Sequence, residues 1–145
     1  MILLDTNVMS ELMRTVPDPG VLSWLRSQAR EQLATTSVTV AEVGAGLAVM
    51  PTGARRRDLQ SRWDRLLQAG FGERVLAFDD TAAAVYPEIY AKRRRMGRPA
   101  GGFDMQIAAI ARCRDAVVAT RDAGDFEGCG VVIVNPWTAQ AGSKE

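Results

Sequence analysis

Short apolar runs alternate along the chain with longer stretches of helical spacing, and this pattern predicts the elements in turn. The first run, Met1 to Leu4, stops abruptly at Asp5-Thr6-Asn7, three residues that favour turns and helix caps. A run this short reads as a strand buried on both faces. Val8 to Arg14 follows as a short helix, ended by the Pro17-Asp18-Pro19-Gly20 turn. Val21, Leu22, Trp24, Leu25 and Ala29 keep helical spacing to about Arg30 and belong to the core. Leu33 to Val38, rich in Thr and Val, is a second strand.

Thr39-Val40-Ala41-Glu42 then precedes Val43, Leu47 and Val49 at helical spacing. Thr-x-x-Glu before an apolar run is a capping box, in which hydroxyl and carboxylate satisfy each other's backbone donors. Glu42 can equally be a carboxylate one turn into a helix, facing the same sheet edge as Asp5. Gly44 and Gly46 weaken that helix, and close approach of another backbone is one reason to keep them. Beyond Pro51-Thr52-Gly53, Ala54 to Ala69 resumes a helix. Leu59, Trp63, Leu66 and Leu67 share one face of it, and most of its arginines lie elsewhere. Val75 to Phe78 is a third strand, and Asp79-Asp80-Thr81 caps a helix to about Met96, with Pro87 placed to kink or divide it. Its end, Lys92 to Arg95 with Arg98 beyond, reads as a solvated face that complements the helix dipole. The competing reading is a patch for nucleic acid or a partner, formed by Arg93, Arg94, Arg95 and Arg98.

Gly101-Gly102-Phe103 opens another helix with Asp104 in its first turn. Ile107, Ala108 and Ala111 lie in line with Asp104, so this carboxylate points toward the interior. Ala116 to Thr120 is the fourth strand, leading into Arg121-Asp122-Ala123-Gly124-Asp125. Val131 to Val134 is the fifth, followed by Asn135-Pro136-Trp137 and a small, polar tail expected to fray. Strands alternating with helices argue for an α/β fold with a parallel sheet covered on both faces. Asp5 and Asp122 then fall at strand ends, and Glu42 and Asp104 in first turns of helices. All four can meet at the C-terminal edge of the sheet, where open α/β folds bind ligands.

Composition narrows the chemistry. At 145 residues, 47% hydrophobic and 24% charged, the chain suits one soluble domain with a real core. No stretch is long and apolar enough for a membrane span, and the start lacks the plan of a signal peptide. Two cysteines fit a reducing cytosol. The chain has no histidine, which excludes Ser-His-Asp hydrolases, H-E-x-x-H zinc proteases and any His-based general base. A metal site here must use oxygen ligands, which favours magnesium or manganese. The net charge of +1 says nothing about partners. Gathered carboxylates repel, by about 4 kcal/mol for one pair at about 4 Å and an effective dielectric of about 20. Such a cluster persists by taking up protons or by binding a cation, and a divalent ion there suits phosphodiester hydrolysis.

Ile2-Leu3-Leu4-Asp5-Thr6-Asn7-Val8, Thr39-Val40-Ala41-Glu42, the Asp104-to-Ala109 helix start and Val118-Ala119-Thr120-Arg121-Asp122 together resemble a PIN-domain nuclease of the VapC and FitB type. Asn135-Pro136-Trp137 fits the FitB-like branch. The resemblance implies a Rossmann-like domain over residues 1–138 with five parallel strands, and a flexible tail over 139–145. It implies an endoribonuclease using Mg2+ or Mn2+, with Asp5, Glu42, Asp104 and Asp122 as catalytic and metal-ligating acids. Thr6 and Thr120 would be their hydroxyl neighbours, and Asp125 would share or replace the role of Asp122. A cytoplasmic homodimer is implied, acting as the toxin of a toxin–antitoxin pair. An antitoxin could inhibit it by inserting an Arg among Asp5, Glu42 and Asp104, since a guanidinium pairs with carboxylates bidentately. One departure is Gly101-Gly102-Phe103 before Asp104, where relatives often carry another acid.

Other classes compete. A phosphoacceptor receiver domain has an acidic magnesium site on five parallel strands, and Asp79-Asp80 would be its acids after the third strand. It also needs paired acids after the first strand and a Lys after the fifth, where this chain has Asp5 alone and Asn135-Pro136. A haloacid-dehalogenase-type phosphatase needs Asp-x-Asp, which Asp5-Thr6-Asn7 does not supply. A PIN fold without catalysis is a further reading, against which the complete acidic set argues.

Overall fold

Leu3 and Leu4 point to opposite faces of one strand, and two apolar clusters form around them. A computed structural model describes residues 1–139. Its strands are β1 (Ile2–Leu4), β2 (Leu33–Thr36), β3 (Val75–Leu76), β4 (Val117–Ala119) and β5 (Ile133–Val134). Its helices are α1 (Thr6–Leu12), α2 (Pro19–Arg26), α3 (Ser37–Ala48), α4 (Ala54–Arg65), α5 (Asp80–Arg95) and α6 (Gly102–Cys113). The strands pair in parallel in the order β3-β2-β1-β4-β5. Leu3 and Val118 pack under α5 and α6 with Ile89, Ile107 and Ile110. Leu4 and Ala119 face the other layer, with Val8, Met9, Trp24, Trp63 and Phe71. The outcome is the three-layer, five-stranded parallel fold that the alternating pattern implies.

The strand order decides where a site can lie. From β1 the chain winds outward through β2 to β3, and α5 and α6 then carry it back across to β4. The direction of winding reverses between β1 and β4, which opens a crevice at their C-terminal ends. A receiver-type sheet has the order 2-1-3-4-5. Here β3 is an edge strand instead, and Asp79 beyond it caps α5 by accepting from the Ala82 amide at 3.0 Å.

Several local expectations are corrected. β2 ends at Thr36, still extended, and Thr36 rather than Thr39 caps α3, its hydroxyl accepting from the Thr39 amide at 3.1 Å. Thr39 is therefore inside the first turn and Glu42 in the second, so the capping box does not form and the Glu42 carboxylate is free of that duty. Helix α1 starts two residues early, because Asp5 itself is its cap. Pro87 lies within α5 without dividing it. Among the described residues a Cβ added at Gly44 or Gly46 would meet nothing within 4 Å, so no other backbone there crowds them. Helix α4 continues as a π-helical turn over Leu66–Phe71, closed by Gly72 in a left-handed conformation with φ of 53°. Cys113 and Cys129 are both free thiols, Cys129 buried. Among the described residues no helix is long and apolar enough to cross a membrane. The tail expected to fray lies, from residue 140 onward, outside the described residues.

Candidate active site

The crevice is built from the ends of β1 and β4. Asp5 stays in the sheet through its amide, which donates to the Ala119 carbonyl at 3.0 Å. Its carboxylate turns over the start of α1, where Oδ1 accepts from the Thr6 amide at 2.6 Å and Oδ2 from the Thr120 hydroxyl at 2.8 Å. Asp5 is 3% exposed and Thr120 fully buried, so the pair is rigidly placed. Capping and lining the crevice are thus both duties of one side chain. The Thr6 hydroxyl donates to Glu42 Oε1 at 2.8 Å, drawing the α3 carboxylate to the same edge.

Asn7 is the residue that sequence reasoning left without a role. Its Nδ2 donates to Asp122 Oδ2 at 3.1 Å and lies 3.4 Å from both Asp5 Oδ2 and Thr120 Oγ1. Its Oδ1 accepts from the Arg121 amide at 3.2 Å. One amide side chain therefore braces the β1–α1 joint against the loop after β4. The Asp122 amide, in turn, donates to Thr120 Oγ1 at 3.0 Å. The only sequence signal for this was an Asx residue placed just after the same strand end.

Asp5, Thr6, Glu42, Asp104, Asp122 and Asp125 all line one cleft of about 610 Å3, together with Asn7, Ser10, Glu11, Arg14, Arg121 and Trp137. Burial raises the Asp5 carboxyl above its ordinary value, the Thr120 and Thr6 hydrogen bonds oppose this, and Glu42 and Asp122 push it further up. Asp104 is raised from 3.8 to about 7, first by burial and then by the charges of Asp5, Asp125, Glu42 and Asp122. The cleft therefore carries more negative charge than it tolerates without a proton or a cation. Its donors are all oxygens, the set that magnesium and manganese prefer. Among the described residues no three acidic side chains close tightly enough to hold one ion by themselves.

Arg93, Arg94, Arg95 and Arg98, the competing patch reading, do not share a single surface. Arg93 is 2% exposed, and its Nη1 donates to the carbonyls of Gly124 at 3.0 Å and Glu127 at 2.7 Å. It ties α5 to the loop after β4, because a buried guanidinium needs acceptors. Arg98 pairs with Glu127, and Arg94 lies over the Tyr90 ring at 5.7 Å. Arg94, Arg95 and Arg98 remain exposed, and neither they nor Arg93 line the cleft.

Residues 2–128 match the description of the PIN domain. The chain belongs to the PIN-domain family. Plasmid stability protein StbB of Pseudomonas syringae pv. tomato is 46% identical over 96% of this chain and 100% of its own length. VapC ribonuclease Y4jK of Sinorhizobium fredii is 43% identical, covering 94% of this chain and 98% of its own. Toxin FitB of Neisseria gonorrhoeae is 38% identical over 94% and 99% of the two chains. A crystal structure of FitAcB from that organism superposes on this PIN domain with a TM-score of 0.88, at 37% identity over 96% of this chain and 100% of the other. Between these proteins and this PIN domain the similarity spans nearly the whole chain.

Proposed function

We propose that this PIN domain is an endoribonuclease acting as the toxin of a toxin–antitoxin pair, with a magnesium or manganese site formed by Asp5, Glu42, Asp104 and Asp122. The observation that carries the reading is the lining of one cleft, at the β1–β4 reversal, by six carboxylates, with the Asp104 carboxyl pushed up to about 7 by burial and by the charges of four of the others. Full-length similarity to a VapC ribonuclease and to Toxin FitB supports it. When bound, such an ion supplies Lewis-acid stabilisation of the charge that develops on a phosphodiester and acidifies water in the cleft. The chain's own part is orientation. Thr120 and the Thr6 amide fix both oxygens of Asp5, Thr6 fixes Glu42, and Asn7 fixes Asp122. Each of these donors is neutral, so geometry is held without cancelling the charge. Asp125 adds to the field on Asp104 and shares the task of Asp122.

The same cleft suits inhibition by a guanidinium, and we assign to the antitoxin an Arg that enters among Asp5, Glu42 and Asp104. A homodimer in the cytoplasm completes the reading. The test is cleavage of RNA by the purified protein with Mg2+ or Mn2+, against the same reaction in chelator. Activity that needs the ion and is abolished by Asp5→Asn, with an unchanged fold by circular dichroism, is the expected result. Metal-dependent cleavage by Asp5→Asn at the wild-type rate would reduce Asp5 to a helix cap, and no cleavage of any RNA by the wild type would overturn the ribonuclease assignment.

A further inference from the structure

The Asn135-Pro136-Trp137 segment takes no part in the carboxylate cluster, yet it delivers a side chain to the cleft. Asn135 turns the chain there, its Oδ1 accepting from the Trp137 amide and its carbonyl from the Ala139 amide, both at 2.9 Å. Pro136 is buried, and the Trp137 indole packs against the cluster that holds Met9, Trp24 and Trp63 while lining the cleft. The Arg121 guanidinium lies over it, with its carbon 4.0 Å from the ring centroid. The Arg121 main chain is fixed in turn by Asn7.

This conformation runs against the local electrostatics. Arg121 precedes Asp122 at the rim of a cleft lined by six carboxylates, and a guanidinium pairs readily with carboxylates edge-on. Yet among the described residues Arg121 forms no ion pair. The guanidinium lies over the indole and the residue is exposed, so N–H donors are left open to an acceptor from solution. A nuclease with an acidic floor repels its own polyanionic substrate, and a net charge of +1 gives this chain no general attraction for it. A cation held at the rim, and kept off the acids, meets both needs.

We infer that Arg121, held over the Trp137 ring, binds a phosphate of the RNA strand beside the one being cut, and that Trp137 is its positioning residue. The inference rests on the ribonuclease reading above. A contact of this kind fixes the register of the strand over the acids and carries no base preference. Trp137 keeps the guanidinium from folding onto Asp122 or Asp125, where it would occupy the place of the cation.

The test is binding of a short, fluorescent, single-stranded oligoribonucleotide over a salt series, in the Asp5→Asn background so that the strand stays whole. Adding Arg121→Ala should weaken binding several-fold and reduce the slope of log affinity against log salt by about 0.7, the value of one phosphate contact on a single strand. Arg121→Lys should keep the slope and lose part of the affinity, since it retains charge but not the flat, two-pronged contact. Trp137→Phe preserves a ring for stacking and should bind like the parent, whereas Trp137→Leu should resemble Arg121→Ala. In protein with Asp5 intact, Arg121→Ala should raise KM by a larger factor than it lowers kcat. An unchanged slope and affinity in folded Arg121→Ala would overturn the inference and leave the ribonuclease reading standing. Loss of metal-dependent cleavage as such is judged on the wild type, and the salt slope reads the Arg121 contact independently of it.

Discussion

Asp104→Asn isolates the electrostatic cost of gathering these carboxylates. In the folded, metal-free protein the Asp104 carboxyl loses its proton at about 7, against an ordinary 3.8, because burial and four neighbouring carboxylates disfavour its charge. Between those two values the folded chain holds a proton that the unfolded chain has released, so stability falls as pH rises through the window and levels off above about 7. Full expression of the difference, 7 − 3.8 = 3.2, corresponds to about 4 kcal/mol. Asp104 is only half-buried and Asp122 and Asp125 are exposed, so water screens much of this, and about 1–2 kcal/mol is the expected loss. Asn removes the titration while keeping the shape. In chelator at low salt, Asp104→Asn should melt about 2–8 °C above the wild type near pH 8 and by roughly a third of that margin near pH 5. Magnesium or manganese at pH 8 should raise the wild type and leave the variant nearly unmoved. Parallel melting curves for the two proteins from pH 5 to pH 8 would refute the argument, because Asp104 would then carry no strained charge.

Other expectations follow from the same contacts. Arg93→Ala leaves the carbonyls of Gly124 and Glu127 without their buried donor and should cost about 2–4 kcal/mol by denaturant titration, whereas Arg94→Ala and Arg95→Ala should stay within about 0.5 kcal/mol. An equal, small effect at all three positions would return Arg93 to the surface. For the antitoxin, replacing the inserted Arg by Ala should restore cleavage, and added manganese should compete with the unaltered partner; inhibition that persists after every Arg in the bound segment is replaced would rule the insertion out.

What the sequence made legible was whatever depends on period and punctuation. Apolar runs such as Ile2-Leu3-Leu4 and Val117-Val118-Ala119 are too short for helices and end in polar residues, so the strands and their acid-bearing ends follow directly. What depends on tertiary pairing did not show. Thr36 and Thr39 are both credible caps, and the choice is made by how far β2 stays paired with β3, since Thr36 lies opposite Leu76. Arg93 reads as one of four basic residues at a helix end, and only the carbonyls of a loop some thirty residues later bury it. The brace at Asn7 joins residues 115 apart in the chain, a separation no local pattern records.

The way the acids are held separates a binding cleft from a structural one. Carboxylates that stabilise a fold are ordinarily matched by cations, and this chain has 18 lysines and arginines to draw upon. Glu11, at the edge of the same cleft, follows that rule, pairing with Arg14 at 3.3 Å. Asp5, Glu42, Asp104, Asp122 and Asp125 do not, for among the described residues none of them is in an ion pair. The donors that reach Asp5, Glu42 and Asp122 are the Thr6 amide and hydroxyl, the Thr120 hydroxyl and the Asn7 amide. Neutral donors set the direction of a carboxylate oxygen but leave most of its charge in place. The nearest arginine along the chain, Arg121, is turned onto an indole instead. A cluster kept rigid and uncompensated in this way carries a repulsion that uptake of a proton or of a cation from solution would relieve.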